Sequence, residues 1–172
     1  MVSTIEPRKN HRFALGLWRE LRSRMPDSTI PLIFAGKRGW LYQDILENIQ
    51  REENMPGSSI FLVESASDEE LAWLYQNARF TLYPSRMEGW GLPICESLSF
   101  GTHCLAADNS AMKESSQGLA WHGSTENNDL WIEEIRRCNT EPGYLERRHL
   151  AIVQIYKKRR WDEFTRDVIS LL

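Results

Sequence analysis

Glu88-Gly89-Trp90-Gly91-Leu92-Pro93-Ile94-Cys95-Glu96 is the stretch from which the fold can be read. Two carboxylates stand eight residues apart, with a glycine-rich turn and the start of a helix between them. Just upstream, Phe80-Thr81-Leu82-Tyr83 reads as a short buried strand that Pro84-Ser85 breaks. Gly89 and Gly91 allow backbone conformations closed to other residues and put no side chain in a ligand's way. Pro93 suits a first helical turn, where its missing N–H costs nothing. The product is a strand, an open loop and a helix whose free N–H groups face that loop, an arrangement that attracts phosphate. Glu88 precedes the helix and Glu96 lies about one turn inside it, so both reach hydroxyls of a ligand held there. Amides for a diphosphate and carboxylates for a sugar or ribose together suit a sugar nucleotide.

The same alternation extends in both directions. Residues 2–5 read as a strand, followed by a helix over about 11–25 with Asn10 at its N-cap. Residues 31–35 form a second strand, and Leu41, Ile45, Leu46 and Ile49 mark the inner face of the next helix. Residues 60–63 are a third strand. Ser67-Asp68-Glu69-Glu70 then has the spacing of a capping box, and Leu71, Leu74, Tyr75 and Ala78 form the core face of its helix. Residues 80–83, 103–106 and 119–121 supply strands four to six, a helix follows near 129–138, and residues 143–172 read as a helical C-terminal segment. Strand–helix alternation of this kind predicts an α/β fold, one Rossmann-like domain with a parallel sheet of about six strands and helices on both faces. Trp18, Trp73 and Trp131 fall at helical positions that call for core packing, whereas Trp90 lies inside the glycine turn.

Size and charge agree with a single globular domain. The chain has 172 residues, 41% hydrophobic and 26% charged, enough for a substantial core. A net charge of -3 gives no electrostatic case for nucleic acid. The run Lys157-Lys158-Arg159-Arg160 offers a solvated patch or a peripheral contact with anionic lipid. Cys95, Cys104 and Cys138 make no CxxC pair, which fits a reduced, cytoplasmic setting. No apolar run approaches a membrane span or a signal peptide. Because strand one starts without a lead-in, a domain cut from a longer protein is expected.

In a parallel sheet all β→α loops emerge at one edge, and ligands bind along it. Glu6-Pro7-Arg8-Lys9-Asn10, Gly36-Lys37-Arg38-Gly39-Trp40, Glu64-Ser65-Ala66, Ser85 to Gly91, and Asp108-Asn109-Ser110 all fall in such loops. One rim thus gathers cations, glycines and carboxylates, with Arg8 and Lys9 beside a helix start.

The pattern Tyr-Pro-Ser-x-x-Glu-Gly-Trp-Gly-Leu-Pro-x-x-Glu resembles the E-x7-E motif of retaining glycosyltransferases of the GT-B fold, particularly family 4. Thr-Ile-Glu-Pro-Arg-Lys-Asn-His is similar to the first loop of their donor domains, and Ala-Gly-Lys-Arg-Gly-Trp to a loop of mannosyltransferase-like members. The resemblance covers roughly residues 2–115. It departs where many members carry Gly-Arg and this chain has Ser3-Thr4, with Arg8 left to supply the charge. The resemblance implies a C-terminal nucleotide-sugar-binding domain. Arg8 and Lys9 would serve the donor phosphates, Glu88 the hydroxyls of the transferred sugar and Glu96 the ribose. Gly36, Lys37, Ser65, Ser85, Gly89, Trp90, Gly91 and Leu92 would line the donor site. The implied donor is GDP-mannose or another nucleoside-diphosphate sugar, the acceptor a glycan or lipid-linked glycan, and the implied partner an N-terminal GT-B domain outside this chain. A nucleotide-sugar 2-epimerase and a non-catalytic sugar-nucleotide-binding subunit share the architecture. No Asp-x-Asp occurs, and the four histidines have no metal-ligand spacing with the cysteines, so neither a metal nor another cofactor is expected. His103, inside a strand, reads as a core residue.

Overall fold

The computed structural model describes residues 1–26, 30–158, 165–166 and 169–170. Helix α1 (His11–Arg24) precedes β1 (Leu32–Ala35), α2 (Gln43–Glu53), β2 (Ile60–Val63), α3 (Asp68–Asn77) and β3 (Thr81–Tyr83). Then come α4 (Leu92–Ser99), β4 (Cys104–Ala107), α5 (Ser110–Ser115), β5 (Trp121–Gly123), α6 (Asn128–Thr140) and α7 (Tyr144–Ile155). The capping box at α3 is present in both directions, Glu70 N to Ser67 Oγ and Ser67 N to Glu70 Oε2. Asn10 does occupy the N-cap of α1, but in the left-handed region (φ 62°) and without a side-chain cap bond. Its amide is spent elsewhere, on Pro84 O at 3.2 Å.

All strand pairs are parallel. β1 pairs with β2 from Leu32↔Ile60 to Ala35↔Val63, while β3, β4 and β5 form a second ladder. Residues 1–5 lie along the free edge of β1, where Ala35 N donates to Met1 O, Ser3 N to Ala35 O and Ile5 N to Lys37 O at 2.8–3.0 Å. The sheet expected to have about six strands therefore has five, in hydrogen-bonded groups of two and three, with residues 2–5 reduced to isolated bridges. Among the described residues no backbone hydrogen bond joins 1–5 to β3. A cavity of about 280 Å³, lined by Met1, Val2, Leu32 and Leu82 among others, occupies the start of that seam. The chain runs from residues 1–5 through β1 to β2 in one group and from β3 through β4 to β5 in the other, and such a change of direction is where open α/β sheets open a ligand crevice.

Gly36 is fixed by the same pairing. A Cβ there would lie 1.9 Å from Ser3 O, so only glycine lets the first segment approach β1. Gly36→Ala should lower stability by about 1–3 kcal/mol, read as a reduced urea midpoint, because the overlap is with backbone that cannot swing away.

The core confirms Trp18 and Trp131, which are 3% and 0% exposed, but not Trp73, which is 60% exposed. In α3 only Tyr75 is fully buried, and a residue two positions away lies roughly 200° round the helix, on the solvent side. Leu41 likewise misses the inner face of α2. It precedes the helix in a left-handed conformation (φ 49°) and is exposed, whereas Ile45, Leu46 and Ile49 are buried. Helix α7 ends at Ile155, where Tyr156 turns to extended backbone and Gln117 takes the next backbone groups, and residues 165, 166 and 169 are helical again. The Gln117 amide donates to Lys157 O at 2.9 Å and accepts from Lys157 N at 3.2 Å. Lys157 and Lys158 are exposed. Arg159, Arg160 and most of the stretch expected to continue as helix lie outside the described residues.

Candidate functional site

Backbone contacts bring the first and fourth rim loops together before any charge is counted. After the 3-10 turn Pro7–Lys9, Arg8 O accepts from Arg86 N at 2.9 Å, beside the Asn10–Pro84 bond. Lys9 Nζ then donates to Glu88 Oε1 at 2.7 Å and to the Tyr83 hydroxyl at 3.0 Å. Arg8 forks: Nη1 donates to Glu88 Oε2 at 2.7 Å and to Met87 O at 3.0 Å, and Nη2 to Glu6 Oε1 at 2.7 Å. The Glu6, Glu88 and Lys9 side chains are 7–9% exposed and Arg8 is 33% exposed, so an arriving anion meets Arg8 first. Burial raises the Glu88 carboxyl, but the Lys9 ammonium and the neighbouring Ser85 and Tyr83 hydroxyls together outweigh it and hold the group below its ordinary 4.5. Burial lowers Arg8 in turn, and the Glu88 and Glu6 bonds more than reverse that. The cluster is an ionised, self-compensated knot. Next to it Ser85 is wholly buried, and its Oγ has no hydrogen-bond partner.

The glycine turn divides its tasks. A Cβ on Gly89 would meet nothing within 4 Å, so this position is open to a ligand. Gly91 has φ 89° and caps α4, a left-handed conformation that disfavours any side chain, and a Cβ there would press on Ile94. Trp90 and Leu92 are exposed on either side of it. In the first turn of α4 Pro93 has no N–H and Ile94 N already donates to Gly91 O at 2.9 Å, so it is the Leu92 N–H that lacks an intrahelical partner, one turn before the exposed Glu96. Glu96 Oε2 accepts from the Tyr75 hydroxyl at 2.7 Å.

Lys37 and Ser65 are exposed on the neighbouring loops, Ser65 with φ 57°, and neither is bonded to the Glu88 cluster. Those two loops are tied instead by Arg38, whose Nε and Nη2 donate to both oxygens of Glu64 at 2.6 and 3.0 Å. Far from this rim the fold brings together one group that spacing did not reveal. Single ligand atoms of His103, Glu134 and Cys138, all buried, lie within 4.8 Å of one another. Their partners make this a polar core knot: Arg148 Nε donates to His103 Nδ1, and Tyr144 and Arg137 donate to Glu134. The core reading of His103 agrees with its 2% exposure.

A family model described as "Glycosyl transferases group 1" matches residues 1–153. The chain belongs to that family. It is 33% identical over 126 residues to a serotype-specific mannosyltransferase WbdA of Escherichia coli, covering 73% of this chain and 15% of that protein. It is 36% identical over 115 residues to O-antigen chain mannosyltransferase B of Escherichia coli, covering 66% of this chain and 29% of that protein. The chain thus spans less than a third of either relative. Among solved structures it resembles the α,α-trehalose 6-phosphate synthase of Burkholderia multivorans, with TM-score 0.79, 13% identity, and 99% of this chain covered against 42% of that one. TarM gives TM-score 0.73 at 13% identity, with 98% and 33% covered. These likenesses carry the fold, which is the Rossmann-like α/β fold expected for a GT-B half.

For this glycosyl transferases group 1 domain, Arg8, Lys9, Ser85 and Glu88 converge, and Glu96 stands apart on α4. Glu6, Tyr83 and Tyr75 were not singled out for the site by sequence reasoning. A signal for Glu6 existed in Gly39, whose added Cβ would lie 2.9 Å from Glu6 Oε2, but it shows only once the two loops are side by side.

Proposed function

We propose that this chain is the donor-binding domain of a retaining hexosyltransferase. It takes a nucleoside-diphosphate sugar, GDP-mannose first, and the enzyme passes the hexose to a glycan or lipid-linked acceptor. The observation that carries this reading is the meeting of Arg8, Lys9 and Glu88 at the switch point, in front of the α4 N-terminus. Glycosyl transfer builds positive charge at the anomeric carbon and negative charge on the departing phosphate. Two cations and a helix N-terminus stabilise the latter with no metal needed. Glu88 receives hydroxyls of the sugar, and Glu96 receives the ribose. The acceptor attacks on the leaving-group face, so no protein nucleophile is required. Exposed Trp40, Leu41, Met87 and Leu92 around the rim suit closure by an N-terminal domain. No helix among the described residues is long and apolar enough to cross a membrane. A cytoplasmic protein, with Lys157 and Lys158 near the membrane face, fits this reading.

Calorimetric titration tests it. GDP, UDP and ADP are compared, then the matching sugar nucleotide, each with and without EDTA. Glu96→Gln should weaken the bare nucleoside diphosphate by about 1.5–3 kcal/mol, the loss of a charge-assisted hydrogen bond. Glu88→Gln should leave that affinity undiminished and weaken only the complete sugar nucleotide. Equal losses in both variants, or binding that EDTA abolishes and magnesium restores, would refute this division of roles.

A further inference from the structure

We infer that Tyr75 is a positioning residue that sets the carboxylate of Glu96 for a nucleotide's ribose, an inference that rests on the reading of Glu96 given above. Sequence patterning assigns Tyr75 to packing alone, as a core position of α3. Its ring does pack, stacked on Phe100 with centroids 5.6 Å apart and planes 11° from parallel. Its backbone is pinned as well, since Tyr75 O accepts from Thr102 Oγ1 at 2.6 Å. The hydroxyl is not idle: it donates to Glu96 Oε2 at 2.7 Å. Tyr75 is 3% exposed while Glu96 is exposed, so a buried, doubly anchored phenol holds a solvent-facing carboxylate. Burial also pushes the phenol well above its ordinary pKa of 10, so it remains a donor throughout the working pH range. A glutamate on a helix surface otherwise samples many rotamers, and ordering it on binding costs affinity. Tyr75 orders it beforehand, engaging Oε2 and leaving Oε1 for the ribose hydroxyls.

The test is a double-mutant cycle read by calorimetry on the full chain, with GDP as probe, or UDP where the wild type binds it better. Tyr75→Phe should weaken the nucleotide roughly 3- to 10-fold, the cost of one unordered side chain. Two readouts separate positioning from packing. The loss should vanish in the Glu96→Gln background, and it should vanish against the 2′,3′-dideoxy nucleotide, which has no ribose hydroxyls. Urea midpoints of the variants show that each is folded. Unchanged affinity of Tyr75→Phe, beside a Glu96→Gln variant that does lose affinity, overturns the positioning role alone. A loss that persists with the dideoxy nucleotide overturns it too, because it marks a packing effect. Wild-type affinity in Glu96→Gln, or no binding of either nucleotide by the wild type, overturns the ribose reading and this inference together.

Discussion

Lys9→Ala should lower the stability of the folded chain by about 3–5 kcal/mol and abolish measurable binding of a nucleoside diphosphate. The stability loss arises because the Glu88 side chain, 7% exposed, and the buried Tyr83 enclose the ammonium they share. Removing Lys9 strips Glu88 of its more buried partner and leaves the carboxylate with Arg8 alone. Breaking a buried pair costs more than the pair itself contributes, since the surviving charge stays desolvated. Urea unfolding followed by tryptophan fluorescence measures the change. A midpoint equal to that of the wild type would show that Glu88 relaxes to solvent and that the cluster has little role in the fold.

The second large effect is on acid sensitivity. His11, 1% exposed at the start of α1, has its Nδ1 unpartnered and its Nε2 3.4 Å from Ser3 Oγ. Burial pushes the imidazole down to about 4 from its ordinary 6.5. Between those values the unfolded chain binds the proton and the folded chain does not, so stability falls as pH drops through that window. The full loss amounts to about 3 kcal/mol. Glu88 and Glu134, both held below 4.5, act with the same sign but only below that value. Subtracting the stability–pH curve of His11→Gln from that of the wild type isolates the histidine. A flat difference between pH 6.5 and 4 would mean that the ring is hydrated and titrates normally.

Much of the fold was legible because its signals are local. The β2, β3 and β4 boundaries, the Ser67 capping box and the α4 start each follow from neighbouring residues, and the structure places them within a residue or so. What stayed hidden depends on tertiary context. Residues 2–5 look like a strand in composition, yet they meet β1 and the loop after it only through isolated bridges, which depends on how the chain is placed in space. Trp73 is hydrophobic at a helical spacing, and only the placement of α3 against the sheet shows which face it takes. At the site, Arg8, Lys9 and Glu88 could be selected from their loops, since all β→α loops share a rim. Glu6, Tyr83 and Tyr75 could not. Tyr83 and Tyr75 act on residues in another loop or helix, about which spacing along the chain carries no information, and the Glu6 bond to Arg8 depends on how their shared loop folds.

The knot around Glu88 makes the resting site its own counter-ion. Two carboxylates, Glu6 and Glu88, already match two cations, Arg8 and Lys9. The cluster therefore projects little field to draw anions from a distance, and on the donor-binding reading proposed above a phosphate would enter by exchange, prising Glu88 off the cations it holds. The freed carboxylate then needs donors of its own. The hydroxyls of a sugar attached to that phosphate can supply them, whereas inorganic phosphate or a bare nucleotide leaves Glu88 stranded. On that donor-binding reading, the same ion pair that steadies the fold would act as a toll on every loose anion, lowest for a ligand carrying phosphate and sugar together.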